Sequence, residues 1–294
     1  MSETPATAPD PATFLSGEHG SVVGPRLIAR RTLLDAAQRA AGALALTGPR
    51  LDRLAAGQPP RSVLVLSVYR PDSLLAEALE ALRSARHDVR FALGATGADP
   101  EPALAAQTLA SGLTGGKFEN LNRLLALAPT PFAEHDWVLV VDDDVALPRR
   151  FTDRLVALSE RLGLDLVQPA QTMRSHAAWW VTRRRALTLA RRTAYVEIGP
   201  VTGFSARVSA ELLPFPQLRF GWGLDNHWGA LARERGWRLG VLDALAVRHE
   251  RQAVASAYTH AEAIAEAREF LAGRAYLRAE EAQRTLATIR WLRG

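Results

Sequence analysis

The run Ser62-Val-Leu-Val-Leu-Ser-Val68 is apolar at every position except its serines. A short apolar run of this kind predicts a strand buried on both faces of a parallel sheet. Asp72 or Ser73 can cap the next segment, whose Leu74, Leu75, Ala78, Leu79 and Leu82 share one helical face, and His87 to Leu93 then returns as a strand. The three pieces form a βαβ unit. A helix from Asn120 to Ala128 leads to a second apolar strand, Trp137 to Val141, which stops abruptly at Asp142-Asp143-Asp144. Beyond it the pattern predicts a helix (Pro148 to Leu162), a strand (Leu164 to Gln168), an irregular aromatic and Arg-rich stretch (Trp179 to Arg192), a strand (Tyr195 to Ile198), a helix (Asn226 to Arg235) and a strand (Arg238 to Asp243).

This alternation predicts an α/β domain with a mostly parallel central sheet over residues 61–252. Residues 24–60 read as a helical extension and linker, because apolar positions from Leu27 to Leu44 recur at helical spacing and Gly48-Pro49 and Gly57 to Pro60 then punctuate the chain. Residues 253–294 carry Ile264, Phe270, Leu271, Tyr276, Leu277, Leu286 and Ile289 at helical intervals and predict two C-terminal helices. Residues 1–23 read as a disordered tail. No apolar run approaches the roughly 18 residues of a membrane span, and the first residues lack a signal-peptide pattern, so a soluble, cytoplasmic protein is expected.

Composition narrows the chemistry. The 294 residues contain no cysteine, which excludes disulfides, thiolate metal sites and cysteine nucleophiles. The net charge of +5 and pI of about 10.3 suit anionic partners, but the arginines are spread along the chain without a nucleic-acid-binding motif, which disfavours nucleic acid. The terminal helices read as packing on the core or on a second copy of the chain; Trp291 and the neighbouring arginines leave a peripheral membrane contact as the alternative.

Three consecutive carboxylates after a buried strand repel one another and resist desolvation, and a divalent cation resolves both penalties. Asp142 and Asp144, one residue apart, suit Mn²⁺ or Mg²⁺ held against a diphosphate; the alternative is an acidic turn before the next helix. Lys117 is the only lysine among the 36 basic residues, which points to a place where a compact ammonium serves better than a guanidinium. Gly115-Gly116-Lys117 is not a P-loop, since Ser111 stands in place of the first glycine and Phe118 in place of Ser or Thr.

In order along the chain, Val63 to Tyr69, Gly116-Lys117 with Leu121-Asn122, Asp142-Asp143-Asp144, Leu166 to Pro169, Val196-Glu197-Ile198, Gly221-Trp-Gly-Leu-Asp225 and Val247-Arg-His249 resemble the motifs of GT-A glycosyltransferases of family 2, most closely those of the DUF707 group. The resemblance covers roughly Arg61 to Glu250. It implies a GT-A, Rossmann-like fold with helical terminal extensions and transfer of a sugar from a nucleoside-diphosphate sugar to a carbohydrate or other hydroxyl acceptor.

By this resemblance the donor would be held by Ser67, Tyr69, Lys117, Asn122, Asp142 and Asp143, and the metal by Asp142, Asp144 and His249. Gly203, Phe204, Trp222 and Gly223 would border the acceptor, and Asp225 would be the general base of an inverting reaction. Plain structural roles stand beside these: a helix cap for Asp225, a satisfied histidine for His249, core packing for Trp222. The rival functions are a catalytically degenerate nucleotide-sugar-binding or scaffold protein and a nucleotidyltransferase of similar fold.

Overall fold

The computed structural model describes residues 8–16, 22, 24–249 and 259–292. In chain order its elements are α1 (Pro25–Leu44), α2 (Thr47–Ala56), β1 (Ser62–Tyr69), α3 (Leu75–Leu82), β2 (Asp88–Ala95), β3 (Thr108–Ala110), α4 (Lys117–Leu127), β4 (Trp137–Val141), β5 (Val145–Ala146), α5 (Phe151–Leu162), β6 (Leu166–Gln171), β7 (Ala190–Thr193), β8 (Val201–Ser205), α6 (Ala206–Leu212), α7 (Leu224–Arg235), β9 (Leu239–His249), α8 (His260–Leu271), α9 (Ala279–Ala282) and β10 (Thr285–Ile289).

The strands form one mixed sheet in the order β10-β7-β9-β6-β8-β4-β1-β2-β3, with β5 paired to β9. The pairs β1–β2, β1–β4, β2–β3 and β6–β9 are parallel, and β8 runs antiparallel between β4 and β6. The sheet flanked by helices is the GT-A architecture that the sequence motifs imply.

Alternation along a pleated strand sends successive side chains to opposite faces. Val63 and Val65 of β1 join Leu139, Leu79, Leu82, Leu155 and Leu158 in a core beneath α3 and α5. Leu64 and Leu66 point the other way and join Val138, Val140, Leu121, Leu124, Phe204 and Trp228 beneath α4 and α7. Burial on both faces is why β1 and β4 read as unbroken apolar runs rather than as alternating ones.

The structure departs from the sequence pattern in four places. Residues Tyr195 to Ile198 are a loop, and the strand begins six residues later, at β8. In the C-terminal segment Leu286 and Ile289 belong to β10, which pairs antiparallel with β7 at the sheet edge; the apolar spacing there fits a strand as well as a helix.

Part of the expected tail is structured. Asp10 caps a short 3-10 turn, Pro11–Thr13, and Phe14, 1% exposed, packs edge-on to Tyr276. The remainder of that tail, at 1–7, 17–21 and 23, and the expected domain boundary at 252/253 lie outside the described residues. In α1 Leu33 and Leu44 are exposed, Leu27 and Ile28 are half-buried, and the buried residue is Asp35, whose carboxylate accepts the amides of Met173 and Arg174 at 2.7 and 3.0 Å, while Arg31 Nη1 donates to Met173 O at 3.2 Å. Among the described residues no helix is long and apolar enough to cross a membrane.

Candidate active site

Parallel strands direct their carboxyl ends, and the loops that follow them, to one edge of the sheet. Asp142 follows β4 there, and its amide continues the ladder by donating to Pro200 O at 2.9 Å. The salt bridge between Lys117 Nζ and Asp142 Oδ1 is 2.5 Å long. Lys117 opens α4, whose preceding Gly116 lies so close to the Arg219 backbone that a Cβ would meet Arg219 O at 2.3 Å. Glycine is therefore required at 116 for the helix start to reach this place.

Asp143, 6% exposed, accepts three hydrogen bonds from Arg70, which follows β1: from its amide at 2.8 Å, Nε at 3.0 Å and Nη2 at 2.7 Å. That pairing raises the Arg70 pKa further. Asp144 Oδ1 lies 2.8 Å from His249 Nε2 and its Oδ2 lies 3.7 Å from Arg70 Nη2. Pairing of β5 with β9 places Val145 opposite His249 and brings that histidine to the acidic run. Burial pushes the Asp144 carboxyl up, but the hydrogen bond and charge of His249, with the charge of Arg70, outweigh it and leave its pKa below the usual value. For His249 burial opposes the charged form, yet Asp144 and Asp142 raise its pKa overall.

Asp225 lies in the first turn of α7, after Gly223, whose φ of +81° places it in the left-handed region that favours glycine. Burial pushes the Asp225 carboxyl up to about 6; the Tyr195 hydroxyl and the amides of Asp225, Asn226 and Ile198 hold it down. Tyr195 Oη donates to Asp225 Oδ2 at 2.5 Å. Glu197, on the loop before β8, is pushed up to about 8 by burial and by the charge of Asp225, with His249 and Arg183 working the other way.

Several residues expected here have other duties. Ser67 is fully buried and Tyr69 is 1% exposed, with its hydroxyl bonded to Thr108 Oγ1 and to the Glu101 amide. Both side chains are buried because helices cover β1 on both faces; Arg70 is the residue that β1 delivers to the acidic run.

Asn122 also turns inward, where its amide clasps the Phe215 backbone, accepting from N at 2.8 Å and donating to O at 2.9 Å. Gly203 and Phe204 sit inside β8 between β4 and β6 and border no cleft: a Cβ on Gly203 would touch Val167 and Leu139, and Phe204 packs on Phe215 and Trp228. Trp222 is half-buried, edge-on to His260 at 5.4 Å.

Sequence patterns alone did not single out Arg70 or Tyr195. Arg70 carries a signal in hindsight, as the first polar side chain after a buried strand. Tyr195 needs the tertiary fold.

A family model described as "Glycosyltransferase like family 2" matches residues 40–267. The chain is also similar to the crystal structure of GalNAc-T7 with UDP, GalNAc and Mn²⁺, at 10% identity over 66% of this chain and 44% of that one, with a TM-score of 0.47. It is similar to S. aureus TarS 1–349 in complex with UDP-GlcNAc at 15% identity, 71% and 64% coverage and a TM-score of 0.45, and to a mycobacterial protein at 16%, 70% and 72% and 0.43. All three are distant, and the chain spans less than half the length of the first. Comparison with curated proteins finds no match.

Proposed function

Because the chain belongs to the glycosyltransferase-like family 2, we propose that it transfers a sugar from a nucleoside-diphosphate sugar to an acceptor hydroxyl, with a divalent metal and with inversion, and that it falls within the DUF707 group. The observation that carries this reading is the pairing of Lys117 with Asp142 and of Asp144 with His249 beyond β4, with the buried Asp225 carboxyl acting, like His249 and Asp142, on the intervening Glu197.

The donor set suits the metal. The Asp144 carboxylate and the His249 imidazole, 2.8 Å apart, are hard-oxygen and nitrogen ligands of the kind Mn²⁺ or Mg²⁺ accepts. Among the described residues no three His, Asp or Glu form a group that could hold a metal ion: the expected triad of Asp142, Asp144 and His249 does not close, because Asp142 is paired with Lys117, and the proposed ion would be held by Asp144 and His249 together with substrate phosphate. When bound, such an ion supplies Lewis-acid stabilisation of the departing diphosphate.

The chain's own groups do the rest. Lys117 and Arg70 present cations to the negative charge that grows as the sugar–phosphate bond breaks. Asp225, ionised above about pH 6, takes the proton of the acceptor hydroxyl as that oxygen attacks the anomeric carbon. Trp222, half-buried near Asp225, offers an apolar edge to the acceptor ring. Residues 24–60 and 253–294 extend the catalytic unit 61–252 and provide surfaces for a second copy of the chain.

Release of nucleoside diphosphate from a donor in the presence of Mn²⁺ tests the reading. Asp225→Asn is expected to bind donor normally and to lose transfer; release of pyrophosphate instead would identify a nucleotidyltransferase, and near-normal transfer by Asp225→Asn would remove Asp225 as the base.

A further inference from the structure

One carboxyl group in the cleft has no part in the reaction described above. Glu197 is held at several points: its amide donates to Gln168 Oε1 at 2.5 Å, its Oε2 accepts from Gln171 Nε2 at 3.0 Å, and its carbonyl accepts from Thr202 Oγ1 at 3.2 Å. The loop that carries it touches both ends of the active site. At one end Tyr195 Oη and the Ile198 amide bond the Asp225 carboxylate; at the other Pro200 O accepts the Asp142 amide.

A nucleotide sugar must span the same interval. Its diphosphate belongs at the acidic run and its anomeric carbon must face the acceptor hydroxyl that Asp225 deprotonates, so the ring in transit lies between them. From this placement we propose that Glu197, braced by Gln171, reads a hydroxyl group of the transferred sugar and so determines which sugar the enzyme accepts. The inference rests on the glycosyltransferase reading of the cleft.

Two further observations point to a ligand. Gln171 is 1% exposed and Gln168 is fully buried, yet Gln171 Oε1 and Gln168 Nε2 have no hydrogen-bond partner. Buried polar atoms are nearly always paired, and of the thirteen unpaired ones among the described residues these two belong to the amides that hold Glu197. Glu197 itself is half-buried. Its carboxyl stays protonated at neutral pH, since burial and the Asp225 charge push it up to about 8. A neutral carboxylic acid both donates and accepts, which matches a sugar hydroxyl in a way that a carboxylate, an acceptor only, does not.

The test is calorimetric binding of UDP-glucose, UDP-galactose, UDP-N-acetylglucosamine, GDP-mannose and dTDP-glucose, each referred to its own nucleoside diphosphate, to the wild type and to Glu197→Leu, Glu197→Gln and Gln171→Leu. A site that hydrogen-bonds a substrate hydroxyl rejects analogues lacking it, so the wild type is expected to separate sugars on one base by roughly tenfold or more. Glu197→Leu is expected to bring them within about threefold while nucleoside diphosphate affinity changes less than about twofold, and Glu197→Gln, which keeps an N–H donor, to retain part of the preference.

An unchanged preference in Glu197→Leu, with nucleotide binding intact, overturns this inference and leaves the glycosyltransferase reading standing. Should Glu197→Leu not fold, an unchanged preference in Gln171→Leu does the same. A wild type that binds none of the nucleoside diphosphates overturns the reading of the cleft, and this inference with it.

Discussion

Tyr195 and Asp225, thirty positions apart, are joined by a buried hydrogen bond of 2.5 Å from the phenol to Oδ2. Burial pushes the Tyr195 hydroxyl well above its ordinary pKa, so it remains a donor throughout the working pH range. The bond stabilises ionised Asp225 and counters the burial that pushes this carboxyl up to about 6. Replacement of Tyr195 by Phe removes a stabiliser of the charged form, and the pKa of the base rises. The acid limb of the kcat–pH profile is therefore expected to move upward by about half to one unit, with a few-fold lower rate at pH 7 and unchanged nucleoside diphosphate affinity. A pH–rate series on the two proteins checks this; an unmoved limb would mean that Asp225 is not the titrating base.

Glu197 links the site to stability. Its folded-state pKa of about 8 lies above the ordinary carboxylic value of 4.5, so between those limits the folded chain binds more protons than the unfolded one. Stability then falls as pH rises through that window and levels off above it. Glu197→Gln has no such proton to lose. The melting temperature of this variant is expected to gain on the wild type between about pH 5 and pH 8, with little difference at pH 4.5. Thermal denaturation across that range is the measurement, and parallel curves would contradict the assignment.

Asn122 separates a role implied by motif from one shown by structure. Its side chain closes a two-point clasp on the Phe215 backbone. Asn122→Ala leaves both backbone groups without that partner and is expected to destabilise the fold by about 1–3 kcal/mol in urea titration. Nucleotide affinity in the folded fraction is expected to stay at the wild-type value; a large loss of affinity without loss of stability would return Asn122 to the donor site.

Much of this was legible from residue order because the core strands advertise themselves. The central strands β1 and β4 are buried on both faces and read as continuous apolar runs, and the acidic run at the end of β4 was placed at the functional edge by the rule that ligands bind beyond strand carboxyl ends. The strand β8 was misplaced because Val196 and Ile198 alternate as a strand would, while the true strand is preceded by Pro200 and interrupted by Gly203, weak strand signals that are tolerated when packed between β4 and β6.

Motif matching singled out Lys117, Asp142, Asp144, His249 and Asp225, of which Lys117 pairs with Asp142 and Asp144 with His249; their roles are those proposed above. For Ser67, Tyr69 and Asn122 it gave position without orientation, since which way a side chain turns depends on neighbours far away in the chain. Arg70 shows the converse: its place after a buried strand is visible in the sequence, but its three bonds to Asp143 span 73 positions and their partner is not.

The most direct test of the central claim is calorimetric titration of UDP, GDP and dTDP into the protein with Mn²⁺, repeated with EDTA and with Asp144→Ala. One of the three is expected to bind with Mn²⁺, to weaken by roughly tenfold or more in EDTA, and to weaken similarly in Asp144→Ala, since a metal-bridged diphosphate loses its principal charge partner in both cases. Absence of binding by all three, or binding that neither EDTA nor Asp144→Ala alters, would contradict a metal-assisted nucleotide-sugar site at this edge of the sheet.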